Sequence, residues 1–153
     1  MPSLTIAYST PRAATPSRKS EVARLLTGLT ERHLGKQGPL TAVTVTEVPV
    51  DDWFVGGRSL ADLGQASHHV VVRVTEGTNT KAEKARFLAA VHADLGRLLG
   101  PSRPESYVIV EEVRADAWGY GGETQEYRAI AGKLAGEAET ALVFDTYRRF
   151  GVR

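Results

Sequence analysis

The sequence predicts an α+β fold: tandem β-α-β units forming a four-stranded sheet with two helices on one face, plus a C-terminal helical extension. Three observations predict it. The chain repeats itself at a fixed offset, each copy has the pattern of strand, helix and strand, and 153 residues suffice for one domain with a real core. Thr15 and Thr80 differ by 65 positions, as do Lys19 and Lys84, Pro39 and Pro104, Glu47 and Glu112, and Trp53 and Trp118. The pairs Gly56-Gly57 and Gly121-Gly122 keep that offset. About a third of the positions from Thr15 to Gly57 recur without a gap, far above chance. A single domain over residues 1–153 is expected, with 2–66 the first unit and its linker, 67–122 the second unit and 123–153 the extension.

In the first copy, Leu4 to Tyr8 alternates and reads as a strand. Thr15-Pro16 reads as an N-cap with proline at the first helical position. Val22, Leu25, Leu26 and Leu29 follow at helical spacing, and Gly35 stands where the helix should stop. Thr41 to Val48 reads as the second strand, and Asp51 to Gly57 as a short turn or hairpin. In the second copy, His69 to Val74 is strand-like, and Thr80-Lys81-Ala82-Glu83 reads as a capping box before a helix carrying Phe87, Val91, Leu95 and Leu98. Gly100-Pro101 ends that helix, and Tyr107 to Val113 is the partner strand. Strand, helix and parallel strand make a right-handed β-α-β unit. Arg58 to Ser67 reads as a polar linker between the copies. Beyond them, Tyr127, Ile130, Leu134, Ala138 and Leu142 recur at near-helical spacing. They predict a helix without counterpart after the first copy, either packing on the core or a neighbouring subunit or serving as a lid.

Composition narrows the function. A net charge of +1 argues against nucleic acid or an anionic membrane as the main partner, so any charge-based function must be local. Cysteine is absent, which excludes disulfides, thiolate chemistry and Cys-based zinc sites. The N-terminus has no basic segment followed by an apolar stretch, and no apolar run approaches the roughly 18 residues that span a bilayer. A soluble cytoplasmic protein is expected. His68 and His69 are adjacent in a strand and point to opposite faces, with no carboxylate–histidine cluster to join them, so no metal site is expected.

Pro2 carries the clearest chemistry. Proline after the initiator methionine favours removal of Met1, which leaves a free secondary amine. An α-amino group titrates at about 7.7–8.0, and burial or a nearby cation lowers that value. A neutral amine can take a proton from carbon and return it elsewhere, or form an iminium with a carbonyl. Alternatively Pro2 merely begins an edge strand, and a retained Met1 would make its nitrogen an inert amide.

Three segments together resemble the 4-oxalocrotonate tautomerase family: Pro2-Ser3-Leu4-Thr5-Ile6, the strand Val43 to Val48, and Asp51-Asp52-Trp53-Phe54-Val55-Gly56-Gly57 with its copy Asp116 to Gly122. The likeness covers about residues 2–122. The fused length looks closest to the cis-3-chloroacrylic acid dehalogenase-like and malonate semialdehyde decarboxylase-like branches. The resemblance implies a cofactor-independent tautomerase or isomerase of a small enol or keto acid, with Pro2 as the catalytic amine and a homotrimer as the assembly. It places Arg12 where the family grips a substrate carboxylate near the proline, the alternative being a solvated loop arginine. It places Trp53 and Trp118 at the family's aromatic wall, unless they only fill the core.

The family's second arginine is missing: Ala42 stands there, and Tyr107 in the second copy. Tyr107 either donates to a substrate oxygen or is an ordinary sheet tyrosine. Arg73 and Arg114 are the next candidates for the substrate pocket. The dehalogenase-like arginines and helix histidine fall on Thr75, Thr78 and Thr30, with Arg73 two residues early and His33 a turn late, so hydrolytic dehalogenation is not expected. His68 or His69 takes the proline's place in the second copy, leaving one catalytic amine per chain. Two alternatives stay open. One is a decarboxylase, hydratase or dehalogenase-type lyase of a small unsaturated or 3-oxo acid; the other is a non-catalytic oligomeric scaffold.

Overall fold

The computed structural model describes residues 1–12 and 17–150, with side chains as far as residue 137. The chain divides into two compact units, Met1–Glu112 and Val113–Arg153. In the first, β1 (Ser3–Ser9) alternates as its sequence requires, and Leu4, Ile6 and Tyr8 are buried. Helix α1 (Lys19–Leu34) starts later than the Thr15-Pro16 signal places it; those two residues lie outside the described ones, and the N-cap is Arg18, without a side-chain cap. The helix stops where expected. Gly35 takes a left-handed φ of 64° and its N–H donates to the carbonyl of Glu31.

Strand β2 (Ala42–Glu47) runs parallel to β1, from Ser3 opposite Ala42 to Tyr8 opposite Glu47. After a 3-10 turn at Val50–Asp52, β3 (Phe54–Val55) and β4 (Arg58–Ser59) make a hairpin. Gly56 and Gly57 have φ of 58° and 76°, the left-handed pair that a tight two-residue hairpin demands. The segment Arg58 to Ser67 is not the polar linker its composition suggests. Ser59 caps α2 (Leu60–Leu63) by accepting from the N–H of Asp62, and Leu60 is fully buried. One apolar side chain in a helical turn was enough to anchor it. Ser67 already begins β5 (Ser67–Thr75), which runs antiparallel to β1, from Ser3 opposite Arg73 to Ser9 opposite Ser67.

Helix α3 (Lys81–Leu99) has the capping box complete: Glu83 N–H donates to Thr80 Oγ1, and Thr80 N–H donates to Glu83 Oε2. Strand β6 (Tyr107–Val113) follows, and the sheet order is β2-β1-β5-β6. Val70, Val72 and Val74 of β5 share the core with the buried residues of β1, with Val22, Leu26 and Leu29 of α1, and with Phe87, Val91, Leu95 and Leu99 of α3. The four-stranded sheet thus carries both long helices of this unit on one face.

The second unit repeats the hairpin. Strands β7 (Gly119–Tyr120) and β8 (Glu123–Thr124) flank Gly121 and Gly122, whose φ are 61° and 80°. Helix α4 (Gln125–Phe150) follows, and its start has a counterpart after all. Leu60 N–H donates to the Trp53 carbonyl at 2.9 Å, and Gln125 N–H donates to the Trp118 carbonyl at 3.0 Å, at positions 65 apart. Gly64 ends α2 with a left-handed φ of 63°, whereas the equivalent Ala129 lets α4 continue. Among the described residues, no helix is long and apolar enough to cross a membrane.

Candidate active site

Antiparallel β1 and β5 turn the two copies in opposite directions, so the sheet has two unlike ends. Burial aligns Leu4, Ile6 and Tyr8 with Val70, Val72 and Val74, an offset of 66. That is one more than in the helices, because the loop after β1 is one residue longer. On this alignment His68 occupies the place of Pro2, and both are buried.

At the first end, Pro2 lies buried at the head of a central strand, and its carbonyl accepts from the N–H of Ala42 at 3.4 Å. The N-terminal amine, here on Met1, is held below its ordinary value by burial first and by the charge of Lys36 second. Lys36 was not singled out from the sequence. It follows the Gly35 cap, in the loop that leads from α1 to β2, and its Nζ donates to Thr78 Oγ1 at 2.9 Å. That hydroxyl donates in turn to the carbonyl of Thr75 at 2.7 Å. Burial lowers the lysine's own pKa, opposed by the charge of Glu83. The one sequence signal for Lys36 is a cation shortly before the strand that pairs with the segment after Pro2.

Arg73 stands opposite Ser3 in the antiparallel register, and its Nε pairs with Glu111 Oε2 at 2.7 Å. Both side chains are 40% or more exposed, so the pair is a modest one. Arg73 faces away from the helix layer, as its alternation with buried Val72 and Val74 requires. Trp53 is half-buried before the first hairpin. In the second unit, Trp118 is half-buried before the second hairpin, and Arg114 makes a bidentate pair with Asp116 at 3.1 and 2.8 Å.

Arg12 and Tyr107 are elsewhere. Arg12 lies past the far end of β1, its guanidinium against Gly100, where an added Cβ would sit 2.9 Å from its Nε. Seven extended residues separate it from Pro2, about 23 Å at 3.3 Å each. The expectation of Arg12 beside Pro2 is therefore corrected within one chain: β1 carries Arg12 away from Pro2, and the antiparallel partner places Arg73 opposite Ser3. Tyr107 is 63% exposed, and its ring lies 6.2 Å from that of His69, which pairs with Ala7. His68 is fully buried beside His92, with ring centroids 5.3 Å apart, and burial first and His92 second push its pKa down to about 4. Thr30 is also buried, and its hydroxyl bonds back to the carbonyl of Leu26. Among the described residues, no group of three or more His, Cys, Asp or Glu side chains has the arrangement to hold a metal ion.

Residues 69–128 match the model of the Tautomerase family, described as tautomerase enzyme. The chain is similar to a native fused 4-OT, at 25% identity over 82% of this chain and 97% of that one, with a TM-score of 0.69. It shares the fold of a fused 4-OT symmetric trimer at 19% identity, covering 81% and 96% of the two chains, TM-score 0.68. It shares the fold of a protein inactivated by 2-oxo-3-pentynoate at 17% identity, covering 82% and 98%, TM-score 0.68. Curated proteins gave no match. The chain therefore carries a tautomerase match over its second copy, an internal repeat of that copy in its first half, and a fold similar to that of a fused 4-OT over 82% of its length.

Proposed function

We propose that, once Met1 is removed, the chain is a cytoplasmic, cofactor-independent tautomerase that isomerises a small enol or keto acid with Pro2 as general acid and base. The observation that supports it is the setting of Pro2, buried at the head of a central strand next to an N-terminal amine, on Met1, whose pKa is lowered by burial first and by the charge of Lys36 second. Both influences favour a neutral nitrogen near pH 7. The neutral nitrogen takes the enol hydroxyl proton, and the ammonium so formed gives a proton to carbon, producing the ketone and restoring the amine. Lys36 holds the substrate carboxylate or the developing oxyanion. Arg73 is the second cation at that end, and Trp53, which follows the far end of β2, covers the apolar part only from another copy. Arg12 and Tyr107 contribute only if another copy brings them to Pro2.

A homotrimer is the proposed assembly. It is supported by the shared fold with a fused 4-OT trimer and by the sheet face away from the helices, where Tyr107 and Ile109 are 63% and 42% exposed. The lyase alternative has one observation in its favour, Ala42 at the position of the family's second arginine.

The test is ketonisation of phenylenolpyruvate by the wild type and Pro2→Ala, with intact mass to establish removal of Met1. A loss on the order of 10²-fold or more is expected, since alanine leaves a primary amine. Equal activity of the two across the pH range would overturn the proposal. The reagent 2-oxo-3-pentynoate should add covalently at Pro2, and an unmodified Pro2 peptide after complete exposure would count against it.

A further inference from the structure

We infer that Thr78, which belongs to the second copy, is the positioning residue that holds the Lys36 ammonium at the chain's N-terminal amine, so that both copies build the setting of that amine. Its importance for catalysis rests on the proposed role of Pro2, and its test reads the amine directly. The strands bring the two residues together. Strand β2 begins beside Pro2, where Ala42 N–H donates to the Pro2 carbonyl, and Lys36 stands in the loop just ahead of it. Strand β5 runs the other way, with Arg73 opposite Ser3, so its last residue, Thr75, is level with Met1. The turn after Thr75 therefore lies beside the start of the chain. Lys36 and Thr78 meet across the head of β1.

A lysine side chain is a flexible stem ending in rotatable donors, and its charge has no fixed place unless a partner holds it. Here Nζ donates to Thr78 Oγ1 at 2.9 Å. The hydroxyl is itself fixed. Its hydrogen goes to the Thr75 carbonyl at 2.7 Å, nearer than Asn79 Oδ1 at 3.5 Å, and the Thr78 N–H donates to the same carbonyl at 3.3 Å. The oxygen is left to accept from Lys36. The turn is anchored on both sides of Thr78. Gly77 N–H donates to Glu112 Oε1 at 3.3 Å, and Asn79 Nδ2 donates to the Leu34 carbonyl in the last turn of α1 at 3.0 Å. The neutrality of the partner matters as much as its place. Arg73 and Lys84 pair with Glu111 and Glu112, which offset their charge, whereas a hydroxyl fixes Lys36 and leaves its charge to act on the amine. The contact is not a feature of the β-α-β unit as such. At the repeat offset of 65, Lys36 becomes Pro101 and Thr78 answers to Ala13, so neither partner recurs in the other copy.

The test is a nitrogen NMR titration of the N-terminal amine in isotopically labelled protein, on the residue that processing leaves there, for the wild type, Thr78→Val, Thr78→Ser and Lys36→Ala. Thr78→Val should raise the pKa of the amine toward that of Lys36→Ala, because the freed ammonium no longer stays beside it. Thr78→Ser keeps the acceptor and should keep the wild-type value. The double variant Lys36→Ala/Thr78→Val should rise no further than Lys36→Ala alone. An amine unmoved by Thr78→Val, or by Lys36→Ala, overturns the inference. Should the valine variant not fold, the wild type decides by NMR relaxation: the Lys36 ammonium must be more ordered than that of the exposed Lys133, and equal mobility overturns the inference. None of these readouts depends on turnover. A wild type unable to ketonise phenylenolpyruvate would remove the tautomerase proposal and leave the titration standing, whereas an amine unmoved in Thr78→Val would remove the inference and leave that proposal to the Pro2→Ala comparison.

Discussion

His68 makes the protein's stability depend on pH in a predictable window. Its ring is fully buried in the core layer, both nitrogens lack a hydrogen-bond partner, and it titrates at about 4 against 6.5 for an ordinary histidine. The unfolded chain binds the proton more readily than the folded one, so stability rises with pH between the two values. At about 1.4 kcal/mol per pH unit, the separation corresponds to about 3 kcal/mol. That stability is present above pH 6.5 and is lost as pH falls toward 4. The measurement is urea unfolding at fixed protein concentration from pH 7.5 to 4.5, for the wild type and His68→Leu. The variant removes the titrating ring and should flatten the dependence above pH 4.5. Glu83, Glu112 and Asp116, whose pKa values lie below 4.5, 4.5 and 3.8, act lower on the scale and are common to both proteins. Identical slopes between pH 6.5 and 4.5 in the two proteins would refute the reasoning.

Other substitutions test single links. Lys36→Ala should raise KM for a carboxylate substrate by the equivalent of about 1.5–3 kcal/mol and move the acid limb of kcat/KM to higher pH, because the amine loses the cation that lowers its pKa; steady-state kinetics across pH checks both. Leu60→Ala should cost about 2–5 kcal/mol in denaturant unfolding, since α2 hangs on that fully buried side chain. Thr80→Ala removes the capping box of α3 and should cost about 1 kcal/mol by the same measurement.

The features legible in the sequence are those in which one residue suffices to state its own conformation. The alternation of β1, the Thr80–Glu83 box, the Gly35 stop and the paired hairpin glycines all express local rules, and the structure keeps them. The start of α1 at Lys19 is not announced by the sequence, because Arg18 offers no side-chain cap. Helix α2 was hidden because a single turn has no periodicity to detect. The kinship of α4 with α2 was in the sequence, but only by carrying the offset past Gly122, where identity lapses while the hydrogen bond to tryptophan persists. At the site, the place of Pro2 follows from its being first in the strand. Arg12 and Lys36 do not follow from residue type: seven extended residues carry Arg12 away from Pro2, while β2, parallel to β1, starts beside Pro2 and brings the loop that holds Lys36 to that end.

Fusion of the two copies is enough to make their equivalent positions diverge. A backbone nitrogen is a free amine only at a chain terminus, so fusing two units leaves one end able to carry a proline amine and the other unable. At the second end the equivalent position is interior, and a proline there would present an inert amide. It holds instead a buried, neutral histidine, with Gly100 and Pro101 where the first end has Gly35 and Lys36, and Tyr107 in place of Ala42. Two of these exchanges remove a requirement of the proposed amine chemistry: the terminal nitrogen has gone, and so has the cation that lowers an N-terminal amine's pKa. His68→Pro alone therefore cannot create a second amine site. A chain reopened just before that proline supplies the missing nitrogen, and a lysine in place of Pro101 supplies the missing charge.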